Sequence, residues 1–227
     1  MSALLTRRTR LLAAGLALGV LLTACGGSDD ESDAGPTVLS QDSADGALLT
    51  LDDVGEGFVE NTQPDEDETN DLGCLSGIND LDELEADTEA KVNYDAESDT
   101  ALRSVLSGIS SFDDEATVTE AFDDFRAGIE DCEGVDITDP SGFTITLAVN
   151  VVDGDDLGDV DDQIRFTGTG QITSGPDQSY SYDLAFVASR IDNNLSVVGL
   201  IDVGARGEDV IDSLAETAVE RLNDAIG

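Results

Sequence analysis

Residues 143–151 read Phe-Thr-Ile-Thr-Leu-Ala-Val-Asn-Val, an unbroken alternation of apolar with small or polar side chains. A strand points successive side chains to opposite faces, so this period of two requires a strand with one face on a core and the other towards water. Such half-buried strands belong to antiparallel sheets, because parallel strands are covered on both faces and read as continuous apolar runs. Ile164–Ile172 continues the pattern more weakly, and Tyr180–Phe186 repeats it. The latter leads through Asp192-Asn193-Asn194, a turn signal, into Leu195–Ile201, and the pair is predicted to form a hairpin. Lys91–Ala96 and Ala101–Phe112 are predicted as further strands.

Helical spacing governs three other stretches. Thr50 precedes Leu51-Asp52-Asp53-Val54 as an N-cap with acids in the first turn, and Gly55 and Gly57 keep that helix short. From Glu115 to Cys132, Val118, Phe122, Phe125 and Ile129 recur at helical intervals, with charged residues on the other faces. A last amphipathic helix over Glu208–Ala225 is predicted to bury Ile211, Leu214, Ala218 and Leu222. Helices before and after a run of strands predict an α+β fold, a mainly antiparallel β-sheet packed by a central and a C-terminal amphipathic helix. The folded domain is expected over residues 45–227, enough for one real core. Gln63–Asn70 is expected as a solvated acidic loop within it.

The N-terminus has a different character. Arg7, Arg8 and Arg10 precede an uncharged run from Leu11 to Ala24, which ends in Leu22-Thr23-Ala24-Cys25. Basic, apolar and then small residues before a cysteine make a secretory signal peptide over 1–24 with a lipobox at its end. The apolar run is shorter than the roughly 20 residues needed to span hydrocarbon. The expectation is a bacterial lipoprotein, cut before Cys25, with acyl chains on that cysteine holding it to the extracytoplasmic face of the cell membrane. Thr6-Arg7-Arg8 also resembles a twin-arginine signal, and the export route stays open. Residues 25–44, with few apolar side chains and no periodicity, are expected to be a flexible acidic tether.

Charge and cysteine usage narrow the partners. The chain carries 10 basic and 51 acidic residues and no histidine. Three of the basic residues and none of the acids leave with the signal, which takes the net charge from −41 to −44. A nucleic-acid partner is excluded, since phosphate binding needs clustered lysine and arginine. Cys74 and Cys132 are the remaining cysteines of an exported chain, so a disulfide is the default expectation. It would close a long loop, worth roughly 3–4 kcal/mol in the entropic account. A metal site on two thiols without histidine is the weaker alternative.

One arrangement of these elements is familiar. A short helix led by Leu48-Leu49-Thr50-Leu51-Asp52-Asp53 is followed by Cys74, then by a strand ending Ser110-Ser111-Phe112. Next comes a helix with Ala121-Phe122-Asp123-Asp124-Phe125 that runs to Cys132. Late in the chain, Arg190-Ile191-Asp192-Asn193-Asn194-Leu195-Ser196-Val197 leads into the final amphipathic helix. Over about residues 45–227 this resembles the PknH-like extracellular sensor domain family, as a stand-alone actinobacterial lipoprotein. The family tryptophan before the cysteine of the central helix is absent, with Ile129 in that neighbourhood, and so is a second cysteine pair. The resemblance implies an extracytoplasmic ligand-sensing or ligand-binding role, with a cleft beside the sheet.

Catalysis is not expected. Without histidine, serine and cysteine nucleophiles lack their usual base, and with 51 acids no carboxylate pair stands out. No cofactor is indicated. Calcium has one weak candidate: Asp153, Asp155, Asp159 and Asp161 alternate around Gly158 like half of an EF-hand loop. Leu157 and Ile164 occupy positions where ligands belong, and an acidic turn is the plainer reading. Lipid or glycolipid carriage would need a cavity lined by Phe143, Ile145, Leu147, Val149, Phe166, Leu184 and Phe186. Such residues more often fill a core, although Gly168, Gly170, Ala185 and Gly199 leave space nearby. A closed core would instead favour interaction with a protein at the cell surface.

Overall fold

A computed structural model of the chain describes residues 37–62, 73–75, 84–98, 101–138, 143–152, 157–174, 179–204 and 210–227. Cys25, the expected signal segment 1–24 and the expected acidic loop 63–70 lie outside the described residues. Among those described, no helix is long and apolar enough to cross a membrane.

Among the described residues, eight strands form one antiparallel sheet: β1 (Val59–Glu60), β2 (Thr88–Glu97), β3 (Leu102–Ser111), β4 (Gly134–Thr138), β5 (Phe143–Val151), β6 (Asp162–Ser174), β7 (Ser179–Ile191) and β8 (Asn194–Val203). Their order across the sheet is β1-β2-β3-β8-β7-β6-β5-β4. β4 to β8 form a meander whose last strand pairs with β3. The predicted hairpin is β7–β8, with Ile191 opposite Asn194. Asp192 takes the positive φ of 51° that this two-residue turn needs. The Asn193 side chain donates to the Phe112 carbonyl, and Phe112 N–H donates to the Asn193 carbonyl at 3.1 Å. The hairpin tip is thereby clasped to the end of β3.

Two cores lie on opposite faces of the sheet. Helix α3 (Glu115–Glu130) connects β3 to the far edge strand and buries Val118, Phe122, Phe125 and Ile129, as their spacing predicts. Asp114 caps it by accepting Ala116 N–H at 3.1 Å. Phe125 meets Phe166 and Phe186 edge-on, at 6.4 and 6.1 Å between ring centroids. Those two rings stack on each other at 5.0 Å. The opposite face carries α1 (Gln41–Ala47), α2 (Leu51–Val54) and the C-terminal α4 (Ile211–Ile226). Helix α4 buries the four predicted residues together with Ala215 and Val219. The fold is therefore α+β, with an antiparallel sheet and the C-terminal helix packed on it.

The tether boundary needs correction. Residues expected to be flexible up to Ala44 already belong to the fold: Leu39, Ala44 and Ala47 are buried in the core under α4. Two fully buried serines of β3 hold this segment, because Ser111 Oγ accepts from Leu39 N–H at 2.9 Å and Ser107 Oγ from Leu49 N–H at 3.2 Å. Thr88 Oγ1 donates to the Leu39 carbonyl at 2.7 Å and Tyr94 Oη to that of Leu49 at 2.8 Å. Extended backbone crossing a sheet face cannot satisfy its polar groups with water, so the serines and Tyr94 do it.

Candidate functional site

Cys74 and Cys132 form the disulfide expected of them, across 58 residues of sequence. It ties the 3-10 turn Gly73–Leu75 to the end of α3. Both half-cystines pack with the core under α3, Cys132 being 7% exposed.

The calcium pattern does not assemble among the described residues. Asp153 and Asp155 lie outside them, and no group of three or more potential metal-ligating acids or cysteines occurs within them. Leu157, at the fifth loop position, is buried in the core. Asp161 Oδ2 accepts the Asp192 N–H at 2.6 Å and lies 3.7 Å from Arg190. This carboxylate therefore secures the β7–β8 turn.

Most of the apolar residues considered for a lipid cavity fill the core instead. Phe166, Phe186, Leu147 and Val149 are buried against α3, and Ile145 and Leu184 are partly buried there; Phe143's side chain is not described. The glycines of β6 leave little unfilled space. A Cβ on Gly168 would fall 2.5 Å from Leu147 Cδ1, and one on Gly170 would fall 2.8 Å from the Tyr182 ring. Burial of Tyr182 raises its phenol pKa to about 12.

A cavity does exist, on the opposite face. It measures about 200 Å³ and is lined by Thr167, Gly168 and Thr169 of β6, Asp183, Leu184 and Ala185 of β7, and Leu200 and Asp202 of β8. Strand register explains the grouping. Arg103, Asp202, Asp183 and Thr169 are successive cross-strand partners on β3, β8, β7 and β6, and therefore form one row. Val105, Leu200, Ala185 and Thr167 form the adjacent row. Alternation places both rows on the face that α4 covers further up the sheet, where Val187 and Val198 join the core.

Asp202 is the buried acid of the site, with its side chain 3% exposed. Arg103 holds it through two bonds, Nε to Oδ1 at 2.5 Å and Nη2 to Oδ2 at 3.2 Å. A carboxylate taken out of water requires such a partner, and the guanidinium fork supplies two parallel donors. Asp183 faces Asp202 directly across the β7–β8 ladder and forms no ion pair among the described residues. It is half-buried, as is Thr167, whereas Thr169 is exposed at the rim. The lining contains neither cysteine, lysine nor serine, and Arg103 occupies both oxygens of Asp202. The arrangement suits polar recognition above an apolar floor of Ala185 and Leu200.

No motif in the sequence marks either cavity acid, Asp183 or Asp202. Three residues that the sequence offers for a cavity, Leu184 and the small Gly168 and Ala185, do lie in its lining.

No family model matches the sequence, and no curated protein does. Among solved structures, the fold is similar to the extracellular domain of PknH from Mycobacterium tuberculosis, with a TM-score of 0.61 and 13% identity over 84% of this chain and all of that one. What the two chains share is the fold.

Proposed function

We propose that this protein is an extracytoplasmic ligand-binding module, held to the membrane by lipid on Cys25 and sensing a small molecule rather than transforming one. The observation that carries this reading is the cavity beside the Arg103–Asp202 pair, on a fold like that of a kinase's extracellular domain. Its volume lies below the ~300–1,000 Å³ of sites that enclose drug-sized ligands, which favours a small ligand over a lipid or glycolipid cargo.

The placement of the cavity supports the same reading. The chain enters the fold at Leu39, against Ser111 and Thr88 at one end of β2–β3. Arg103 and the cavity row stand eight residues along β3, roughly 26 Å away at ~3.3 Å per residue. The cavity therefore stands towards the opposite end of β3 from the point where the chain enters the fold.

Two measurements test the proposal. Cys25→Ala should move the exported protein from the membrane fraction to the medium, and retention on the membrane would remove the anchor. Native mass spectrometry of the mature protein should show a small adduct that disappears on denaturation. An adduct of lipid mass would overturn the small-ligand reading in favour of carriage.

A further inference from the structure

Asp183 is in an unfavourable position. Carboxylates directly opposite on neighbouring strands repel, and Arg103 answers only Asp202, using Nε and Nη2. A half-buried acid beside a buried one is a local conflict that folding alone does not call for, and such conflicts concentrate at functional sites. Three neighbouring features specify what would resolve it. Thr167 and Thr169 stand across β6–β7 from Ala185 and Asp183 and supply hydroxyl acceptors. Leu200 and Ala185 supply apolar surface. The volume, about 200 Å³, equals about seven waters at ~30 Å³ each.

A divalent metal does not suit this set. Calcium takes six to eight oxygen ligands, whereas one of the two carboxylates is already bound by a guanidinium. An anion is disfavoured by Asp183 itself and by the field of a chain with 51 acids. An ammonium group brings three donors and one positive charge, which matches two hydroxyls and a carboxylate that forms no ion pair among the described residues.

Building on the reading of this cavity as a ligand site, we infer that its ligand class is a small primary amine. The ammonium sits between Asp183 and the hydroxyls of Thr167 and Thr169, and the alkyl part lies on Leu200 and Ala185. The carbon chain needs to be short, because the cavity ends within two rows of the sheet.

The test titrates mature, exported protein in non-ionic detergent at 0.15 M salt with 1,4-diaminobutane, 1,4-butanediol and succinate, following backbone amide shifts. The expected result is saturable binding of the diamine, with shifts centred on residues 167–169, 183–185 and 200–202. Asp183→Asn, which keeps the side-chain shape, should weaken it at least tenfold. Asp123→Asn, on the exposed surface of α3, should leave it unchanged and so control for the general acidic field. Equal diamine affinity in wild type and Asp183→Asn would overturn the inference, since attraction would then belong to the whole surface. Preference for butanediol or succinate at the same residues would overturn the amine class while leaving the ligand-binding reading intact. No shift at the cavity with any probe would overturn the inference, and absence of a native adduct as well would take the proposed function with it.

Discussion

Asp53 shows how much a single carboxylate does in this fold. It accepts the Thr50 N–H at 2.7 Å and the Thr50 hydroxyl at 2.6 Å, closing the N-terminus of α2, and receives Arg221 Nη2 of α4 at 2.8 Å. Partial burial pushes its pKa upward, but the Thr50 hydrogen bonds and Arg221 outweigh this and hold it below the ordinary 3.8. A carboxylate with a depressed folded pKa contributes stability that is present above its unfolded pKa and lost as pH falls through the folded one. Asp53→Asn should therefore lower unfolding stability by about 1 kcal/mol at pH 7, with the deficit shrinking below pH 3.8. Urea titrations at pH 7 and pH 3 would check this. A deficit of the same size at both would mean that shape, not charge, matters there. The Thr50–Asp53 half of this site was legible because capping is local and three residues apart. Arg221 was not, because 168 residues separate it from Asp53.

At the scale of elements, legibility followed periodicity. The alternation of β5 and the helical spacing of Val118, Phe122, Phe125 and Ile129 read correctly because each encodes its own buried face. Helix α1 escaped notice because its sequence, QDSADGA, buries only two alanines, and it is fastened by serines of β3 more than 50 residues away. Strand β4 is five residues long at the sheet edge and begins at Gly134, where a Cβ would lie 2.4 Å from the Leu147 carbonyl. A glycine that reads as a break is there required by close pairing. The cavity row is still less legible, since Arg103, Asp183 and Asp202 lie on three strands and meet only through register. A shift of one residue in any of them would turn its acid or arginine to the other face.

The disulfide ties the turn at Gly73–Leu75 to the end of α3, where Leu75 already packs in the core beneath that helix. Replacing both cysteines by serine should destabilise the fold by roughly 3–4 kcal/mol, judged from the length of the closed loop. Denaturant unfolding of the variant against wild type measures the loss. An unchanged midpoint would show that the bridge restrains neither state.

Across the whole molecule, charge is the dominant unfavourable term. All five arginines among the described residues are paired with carboxylates: Arg103 with Asp202, Arg126 with Asp162, Arg165 with Asp212, Arg190 near Glu115 and Asp161, and Arg221 with Asp53. These pairs neutralise a small share of 51 acids, so most of the acidic surface has no opposing charge. Self-repulsion of this kind opposes the compact state. Salt acts on both contributions, weakening ion pairs and relieving repulsion, and the excess of acids decides the sign. Raising NaCl from 0.1 to 1 M shortens the screening length from about 10 to 3 Å, so the melting temperature should rise. Relief of about 2 kcal/mol would correspond to roughly 4–8 °C for a domain of this size. Buried pairs such as Arg103–Asp202 are screened much less than the surface acids, and the rise should therefore survive in Arg126→Gln, whose pair is about one-third exposed. Calorimetry across the salt series would test the argument. A flat or falling melting temperature would mean that the arginine pairs, not the unpaired acids, set the electrostatic balance of the fold.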